Sequence, residues 1–253
     1  MESSVAVVEF SIQKARKAQT LMAQKVITQN RLPRKIRFVA GVDVAYAAGL
    51  AFGAASVLDY DSLEILETQT VTQHVKFPYI PTLLSFRELP ACMSCIKKLK
   101  RQPDIVLVDA QGLAHPYKLG LASHLGVVLD MPTAGVAKDR LVGEVRRRGE
   151  EQVLVFEGEV IGAVVHTQKD AKPVYVSVGH KVSLTTAVEI VKHCIRYARV
   201  PEPILAAHKL ASAERKAKIE AATTTGAGEH HVECATQRNS RQNPRRQPAK
   251  PSG

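Results

Sequence analysis

The chain has 253 residues, 45% of them hydrophobic and 23% charged, which is enough for one or two packed domains without disulfide or metal cross-links. No apolar run approaches the ~20 residues of a membrane span, and residues 1–10 lack the features of a secretory signal, so we expect a cytoplasmic protein, with nuclear placement also open. Lys and Arg exceed Asp and Glu by 11 charges, which favours a polyanion such as nucleic acid as partner. Because no membrane span is predicted, we expect no membrane partner.

Apolar residues at helical spacing predict an amphipathic helix over residues 10–29. Three β-rich runs with short turns between them then predict an antiparallel meander. These runs are residues 36–46, 50–60 and 63–75. A further helix is expected over residues 83–101, with an interruption at Pro90 because proline removes a helical hydrogen bond.

The following segments alternate between strand-like and helix-like patterns. Residues 104–109 have an unbroken apolar centre, which is typical of a strand covered on both faces of an α/β sheet. A helix is predicted over 117–126 and a strand over 127–130. Further apolar runs predict three strands and a closing helix at 153–156, 160–166, 174–178 and 182–197.

From residue 223 the chain is rich in Gly, Ser, Gln, Asn, Pro and Arg. Such a composition buries too little apolar surface to offset the entropy of ordering. We therefore predict one folded domain over residues 1–222 and a disordered basic tail over 223–253. Three roles stay open for the tail: an arm on nucleic acid, a transport signal, or none.

Cys92 and Cys95 form a Cys-x-x-Cys motif, but the other two cysteines do not supply the second pair of a zinc ribbon. The motif lies in a helical pattern. Buried helix thiols are the preferred interpretation, and a metal or redox site is a distant alternative.

Three acidic residues stand out as candidate metal ligands. Asp43 lies inside an apolar strand, where a carboxylate is costly to bury without a cation or several donors. Asp109 ends a strand and precedes a loop, the position at which α/β sheets bind ligands. Together with Glu88, on the helix predicted over residues 83–101, the two aspartates supply the oxygen atoms that a hard divalent cation prefers. Each is also compatible with a solvated or capped carboxylate, and linear spacing leaves both interpretations open.

Other candidates are basic or aromatic. Lys138 follows a strand and either neutralises a phosphate or faces solvent. His115 and Lys118 open a predicted helix, where they either hold an anion or cap the helix. Tyr79 lies between two prolines, and a rigid exposed aromatic ring can stack on bases or wedge between them; otherwise it packs at a turn.

Taken together and in this order, six segments resemble the endonuclease V family, over about residues 36–210. They are GVDVAY (41–46), FPYIPTLLSFRE (77–88), VDAQGLAHPYKLGLASHLGV (108–127), PTAGVAKDRL (132–141), KPVYVSVGH (172–180) and PEPILAAH (201–208). Several of these motifs are long enough to make coincidence improbable.

The resemblance implies an α/β, ribonuclease H-like fold with a five-stranded mixed sheet in the order 3-2-1-4-5, flanked by helices. The strands ending in Asp43 and Asp109 would then be neighbours and would share Mg²⁺ with Glu88, with Mn²⁺ as a substitute. His208 matches a family position that is acidic or histidine, and it ranks below the other three.

The implied activity is that of a DNA repair endonuclease. The family cuts the second phosphodiester bond 3′ to a deaminated purine, chiefly deoxyinosine, and leaves 3′-hydroxyl and 5′-phosphate ends. By resemblance, Lys138 assists the attacking water or the phosphate and Tyr79 is the wedge. The extruded base would enter a pocket near Leu84, Gly120 and Leu121.

No obligate protein partner is implied. Two alternatives stay open: an inosine-specific endoribonuclease acting on edited single-stranded RNA, and a nucleic-acid-binding module of the same fold without turnover.

The chain departs from the family pattern at three places. Thr82 and Ala110 stand where the family has glycine, and Ile204-Leu205-Ala206 replaces a segment with an arginine, which predicts weaker support around His208. Added side chains near a base or metal site predict altered lesion affinity or substrate preference. We expect the chemistry to be retained, because the acidic residues and Lys138 are present.

Overall fold

The computed structural model describes residues 11–168 and 170–226, and in this part of the chain nine strands form one mixed sheet with helices on both faces. The strands are β1 (Phe38–Ala47), β2 (Leu50–Asp59), β3 (Ile65–His74), β4 (Ile105–Val108), β5 (Thr133–Ala137), β6 (Glu144–Arg148), β7 (Glu151–Phe156), β8 (Glu159–Val165) and β9 (Val174–His180). The helices are α1 (Ile12–Ala23), α2 (Leu84–Lys98), α3 (Leu121–Leu129), α4 (Leu184–His193) and α5 (Glu202–Gly226).

The strand order is β3-β2-β1-β4-β5-β9-β8-β7-β6. Strand β4 pairs in parallel with both β1 and β5, and the other pairs are antiparallel. The predicted α/β class and the order 3-2-1-4-5 are therefore confirmed. The sheet does not stop at five strands, because β9 pairs with the outer side of β5 and continues it through β8, β7 and β6.

Alternation along β1 divides the core between the two faces of the sheet. Val39 packs with residues of β4, β9, α4 and α5, whereas Val42 packs with residues of α2 and α3. Cys92 and Cys95 belong to the second cluster, where both free thiols are fully buried. Burial raises the pKa of Cys95 to about 12 and also raises that of Cys92. These are the predicted buried helix thiols, and they stay protonated near neutral pH.

Several local predictions were wrong. The helix predicted over 182–197 is shorter and does not close the fold, because α4 is followed by the long helix α5. Helix α2 runs through Pro90 without interruption. Four buried residues that follow the proline hold the helix against the sheet despite one missing hydrogen bond: Ala91, Cys92, Cys95 and Ile96. Residues 127–130 do not form a strand, since α3 extends to Leu129. A short apolar run of this kind suits a buried helix as well as a strand.

The first predicted helix is shorter than expected. Helix α1 ends at Ala23, and the chain then makes hydrogen bonds with the last residue of β9 and with the residue that follows it. Ile27 N–H donates to His180 Nδ1 at 3.2 Å, and Lys181 N–H donates to the Ile27 carbonyl at 2.7 Å. These tertiary bonds replace the helical ones. Residue 10 lies outside the described residues.

Helix α5 includes residues 223–226, so the predicted boundary at 222 is not a break in secondary structure. Residues 227–253 lie outside the described part of the chain, and their disorder stays a prediction. Within the described residues, no helix has both the length and the apolar character needed to cross a bilayer.

Candidate active site

The ends of β1 and β4 bring two carboxylates together. Strand β1 pairs with β2 along its whole length, but its pairing with β4 stops at Val42 and Val108. Asp43 is the next residue of β1, and Asp109 is the next residue after β4. The Asp109 N–H still points to the Val42 carbonyl, at 3.4 Å. Both aspartates therefore lie at the carboxyl end of β4, the ligand-binding edge of an α/β sheet.

A close approach of α5 to β1 brings His208 to the same place. A Cβ atom on Gly41 would lie 2.1 Å from the carbonyl carbon of Pro203, so only glycine allows this approach. Ser56 Oγ donates to the Pro203 carbonyl at 2.7 Å and holds the start of the helix. Further along α5, His208 Nδ1 lies 2.7 Å from Asp43 Oδ2. The His208 side chain is 51% exposed and that of Asp43 16%, so solvent and substrate can reach the imidazole.

Lys138 reaches the site from the next strand. It follows β5 directly, and its Nζ donates a hydrogen bond to Asp109 Oδ2. Arg199, which the sequence did not single out, donates to the carbonyl oxygens of Lys138 and Pro173. The guanidinium therefore fixes the backbone from which Lys138 extends.

The site has the donor atoms of a divalent-cation centre. One ligand atom each from Asp43, Asp109 and His208 lie within 4.8 Å of one another. Carboxylate oxygens and an imidazole nitrogen suit Mg²⁺ or Mn²⁺, with the oxygens preferred by Mg²⁺. The residues present fit such an ion.

Glu88, a half-buried residue of α2, feels the charges of the two aspartates, but its carboxylate is not among the three groups whose ligand atoms lie within 4.8 Å of one another. Burial and then the charges of Asp43 and Asp109 raise the pKa of Glu88 to about 8. The pKa of Asp109 is also raised, mainly by burial, although Lys138 opposes the shift. Crowded carboxylates that repel one another are relieved by a bound cation, which is a second reason that the site fits a metal.

The residues predicted to contact the base flank the start of α2 and α3. Tyr79 is 68% exposed in the loop before α2, and Leu84 is the first residue of that helix. Gly120 and Leu121 are buried at the start of α3. A Cβ atom on Gly120 would lie 2.2 Å from the Gln111 carbonyl, so this segment packs directly on the loop that follows Asp109.

His115 and Lys118 do not lie at a helix N-terminus as predicted, because α3 begins only at Leu121. His115 is buried and accepts the N–H of Tyr117 at 3.2 Å. Burial, chiefly, lowers its pKa to about 4, so the ring is neutral at pH 7. His115 therefore has a structural role in this turn, although it does not cap a helix as the sequence alternative required. Lys118 pairs with Glu159 at 2.6 Å.

Thr82 and Ala110, which stand where the family has glycine, differ in backbone conformation. Thr82 has φ +66°, in the left-handed region, which costs a β-branched residue about 1–2 kcal/mol. Ala110 shows no such strain, and its side chain packs against the cluster formed with α2 and α3. Only Thr82 therefore needs compensating contacts.

Helix α1 supplies those contacts, and the sequence did not reveal them. Arg16 Nη2 donates to Thr82 Oγ1 at 2.6 Å, and Gln19 Nε2 donates to the Thr82 carbonyl at 2.9 Å. Neither residue type signals such a role. A glutamine on the buried face of an amphipathic helix was the only available hint.

Comparisons with known proteins agree with this geometry. The sequence model of the family described as Endonuclease V matches residues 20–209. Endonuclease V of Thermofilum pendens is 46% identical over 214 residues, which are 83% of this chain and 92% of the relative.

Solved structures are similar as well. That of the Streptomyces avermitilis Endonuclease V has a TM-score of 0.75 and 35% identity, covering 84% of this chain and 95% of that one. Endonuclease V of Ciona intestinalis, in complex with a 24mer DNA containing an inosine followed by a ribo-adenosine, has a TM-score of 0.74 and 31% identity, covering 81% and 98%.

Proposed function

The chain belongs to the endonuclease V family and is therefore a nuclease, and from this premise we propose that it cuts nucleic acid beside deaminated purines. The proposed substrate is DNA that contains inosine, and the proposed cut is at the second phosphodiester bond on its 3′ side. The observation that supports this most is the convergence of Asp43, Asp109 and His208 on one point, with Lys138 and Glu88 beside it.

Asp43 and Asp109 would hold Mg²⁺, because they are the oxygen donors of the converging cluster. Glu88 is assigned as the third ligand by the family resemblance and because the charges of both aspartates act on it. A bound Mg²⁺, or Mn²⁺ in its place, supplies a Lewis acid for the phosphodiester and lowers the pKa of a water molecule. The carboxylates come from a strand, a strand end and a helix, so rigid elements fix their positions.

Lys138 and His208 act on charge and protons around that centre. The Lys138 ammonium, held by Asp109, neutralises charge that develops on the phosphate. In His208, Nδ1 donates to Asp43, and this leaves Nε2 as the atom that accepts or releases a proton. Asp43 thereby orients the imidazole as well as serving as a ligand.

Substrate recognition is assigned to the surface next to the carboxylates. Tyr79 would fill the gap in the base stack, and the extruded base would lie near Leu84, Gly120 and Leu121. Lys118 is the side chain of the neighbouring loop that would contact a phosphate. The inosine-containing DNA bound by the Ciona relative supports an inosine substrate.

One assay tests these assignments. Labelled strands containing inosine or adenosine at one position, as DNA and as RNA, are incubated with Mg²⁺ or with EDTA, and the cut position is mapped. We expect a cut at the second bond beyond inosine, in Mg²⁺ only. Cleavage of the RNA strands decides whether the endoribonuclease alternative holds. The strand bound by the Ciona relative contains a ribo-adenosine next to the inosine, which is a reason to test RNA.

Asp43→Ala and Asp61→Ala form a matched pair of variants. Asp61 is an exposed aspartate whose ion-pair partner is Lys35, which does not belong to the candidate site. We expect Asp43→Ala to bind inosine DNA without cutting it and Asp61→Ala to cut normally. If the unmodified chain binds but never cuts, the protein is a binding module and the proposed function is wrong.

A further inference from the structure

Arg16 on α1 holds the end of the loop that contains Tyr79. Its Nη2 donates to Thr82 Oγ1 at 2.6 Å and to the Pro81 carbonyl at 3.3 Å, and its Nη1 donates to the Thr82 carbonyl at 3.3 Å. The guanidinium also lies over the Tyr117 ring, 4.2 Å from its centroid. One side chain thus contacts both the Tyr79 loop and the loop that precedes Gly120.

Gln19 extends these contacts to the predicted base pocket. Its side chain is fully buried, and its Nε2 donates to the carbonyls of Thr82, at 2.9 Å, and Leu119, at 3.3 Å. Its Oε1 accepts from Arg16 Nη1 at 2.9 Å. Since Leu119 directly precedes Gly120, the amide spans the two segments that would surround an extruded base.

Thr82 is the residue that makes these bonds necessary. Its φ of +66° lies in a region that β-branched residues rarely adopt. Strained backbone persists where its surroundings hold it in place. Here Arg16 binds the hydroxyl and carbonyl of Thr82, and Gln19 binds the same carbonyl.

We propose that Arg16 and Gln19 are positioning residues for lesion recognition, which hold the Tyr79 loop at a fixed distance from residues 119–121. This inference rests on the proposed function, because it assigns to α1 the spacing between the wedge and the base pocket. A loop held in its binding conformation loses less entropy when it engages nucleic acid. Arg16 is required because Thr82, unlike glycine, does not adopt its conformation unaided.

The test compares Arg16→Ala with Lys17→Ala, which removes the same charge from the exposed neighbouring position of α1. We expect Arg16→Ala to raise KM for inosine DNA and to lower the preference for inosine over adenosine, each by about tenfold, because the variant loses the three hydrogen bonds from Arg16 to the loop. The value of kcat should stay within about twofold. Arg16→Lys keeps the charge but loses the forked donors, so an intermediate loss of about threefold is expected.

A fluorescent 2-aminopurine placed 3′ to the inosine reports base extrusion directly. Its fluorescence gain on binding should fall in Arg16→Ala and persist in Lys17→Ala. A variant that is only less stable lowers the fraction of active protein and therefore lowers kcat on every substrate, without changing KM, the preference or the signal per bound strand.

A double-mutant cycle isolates the role of Thr82. Thr82→Gly removes the strain, so in that background Arg16→Ala should raise KM by only about twofold. If Arg16→Ala raises KM equally in the unmodified chain and in Thr82→Gly, the link to Thr82 is overturned. If the effects of Arg16→Ala are no larger than those of Lys17→Ala, the positioning role is overturned. If the unmodified chain does not cut inosine strands at all, the proposed function fails first and the inference falls with it.

Discussion

His208 Nδ1 lies 2.7 Å from Asp43 Oδ2, although 165 positions separate the two residues in the chain. The imidazole is thereby oriented by a carboxylate of the candidate metal site. Such pairing fixes the tautomer of the ring and keeps the other nitrogen available for proton transfer.

His208→Ala is expected to lower the cleavage rate about 100-fold, within the usual range for loss of a proton-transfer group. Binding of inosine DNA should change little, because the base contacts lie elsewhere. Single-turnover cleavage measures the rate, and gel shift measures binding. His74→Ala removes an exposed histidine of β3 and serves as the control. A His208→Ala rate near that of the control would exclude a role in catalysis.

Two variants at the contact between β1 and α5 should lower the stability of the fold by different amounts. Gly41→Ala forces a methyl group into the Pro203 carbonyl, and such overpacking costs about 1–3 kcal/mol. Ser56→Ala only removes one buried hydrogen bond to the same carbonyl, at about 1 kcal/mol. Urea unfolding should rank Gly41→Ala as the less stable, and its cleavage rate should fall further because His208 moves away from Asp43. The reverse ranking would mean that α5 is not held by this close approach.

Metal binding should be visible without turnover. A ligand that binds only the folded chain raises the free energy of unfolding, by about 2.7 kcal/mol when its concentration is 100 times Kd. Mg²⁺ should therefore raise the melting temperature of the unmodified chain, and EDTA should reverse the rise. Asp43→Asn should abolish the shift, whereas Asp61→Asn, at an exposed position, should preserve it. A shift that survives in Asp43→Asn would place the ion elsewhere.

The fold was predicted best where a buried pattern decides the structure. Apolar alternation in β1 and β2 identified the meander, and the unbroken run Ile105–Val108 identified a strand covered on both faces. Strand β6 was missed because Glu144–Arg148 is exposed throughout and is held only by pairing with β7. Local pattern contains no information about such a partner.

Of the three acidic residues that the sequence singled out, Asp43 and Asp109 lie together in the structure, whereas the residues that support the site were not predicted. Asp43 and Asp109 could be found because a carboxylate beside a buried strand demands an explanation. Arg16 and Arg199 could not, since an arginine bound to carbonyl oxygens is indistinguishable in sequence from one that faces solvent. Their roles depend on contacts across 66 and 61 positions.

The two departures from glycine should behave differently. Thr82→Gly removes the hydroxyl that Arg16 binds, so KM for inosine DNA should change by about threefold with kcat retained. Ala110→Gly relieves no strain at an ordinary backbone position and should leave both constants within about twofold. Steady-state cleavage of inosine DNA and RNA by both variants checks this. Unchanged constants in both variants would show that neither departure affects lesion recognition.

Two buried histidines predict how stability depends on pH. Burial lowers the pKa of His115 and of His124 to about 4, against 6.5 for an ordinary histidine. As the pH falls below 6.5, the unfolded chain binds protons that the folded chain refuses. The two rings should therefore lower the free energy of unfolding by on the order of 3 kcal/mol each between pH 6.5 and pH 4. Glu88, whose pKa is raised to about 8, opposes part of this loss because it binds its proton more tightly in the folded chain.

His124 allows this linkage to be isolated. Its ring is buried, contacts Ser85 Oγ at 3.1 Å and meets the Phe86 ring edge-on, so the uncharged His124→Gln keeps a hydrogen-bonding side chain there. Urea unfolding in EDTA at pH 7 and pH 5 should show a smaller loss of stability in His124→Gln than in the unmodified chain. His74→Gln, at an exposed position, should show the same loss as the unmodified chain. Equal losses in all three proteins would mean that His124 takes up a proton as readily folded as unfolded.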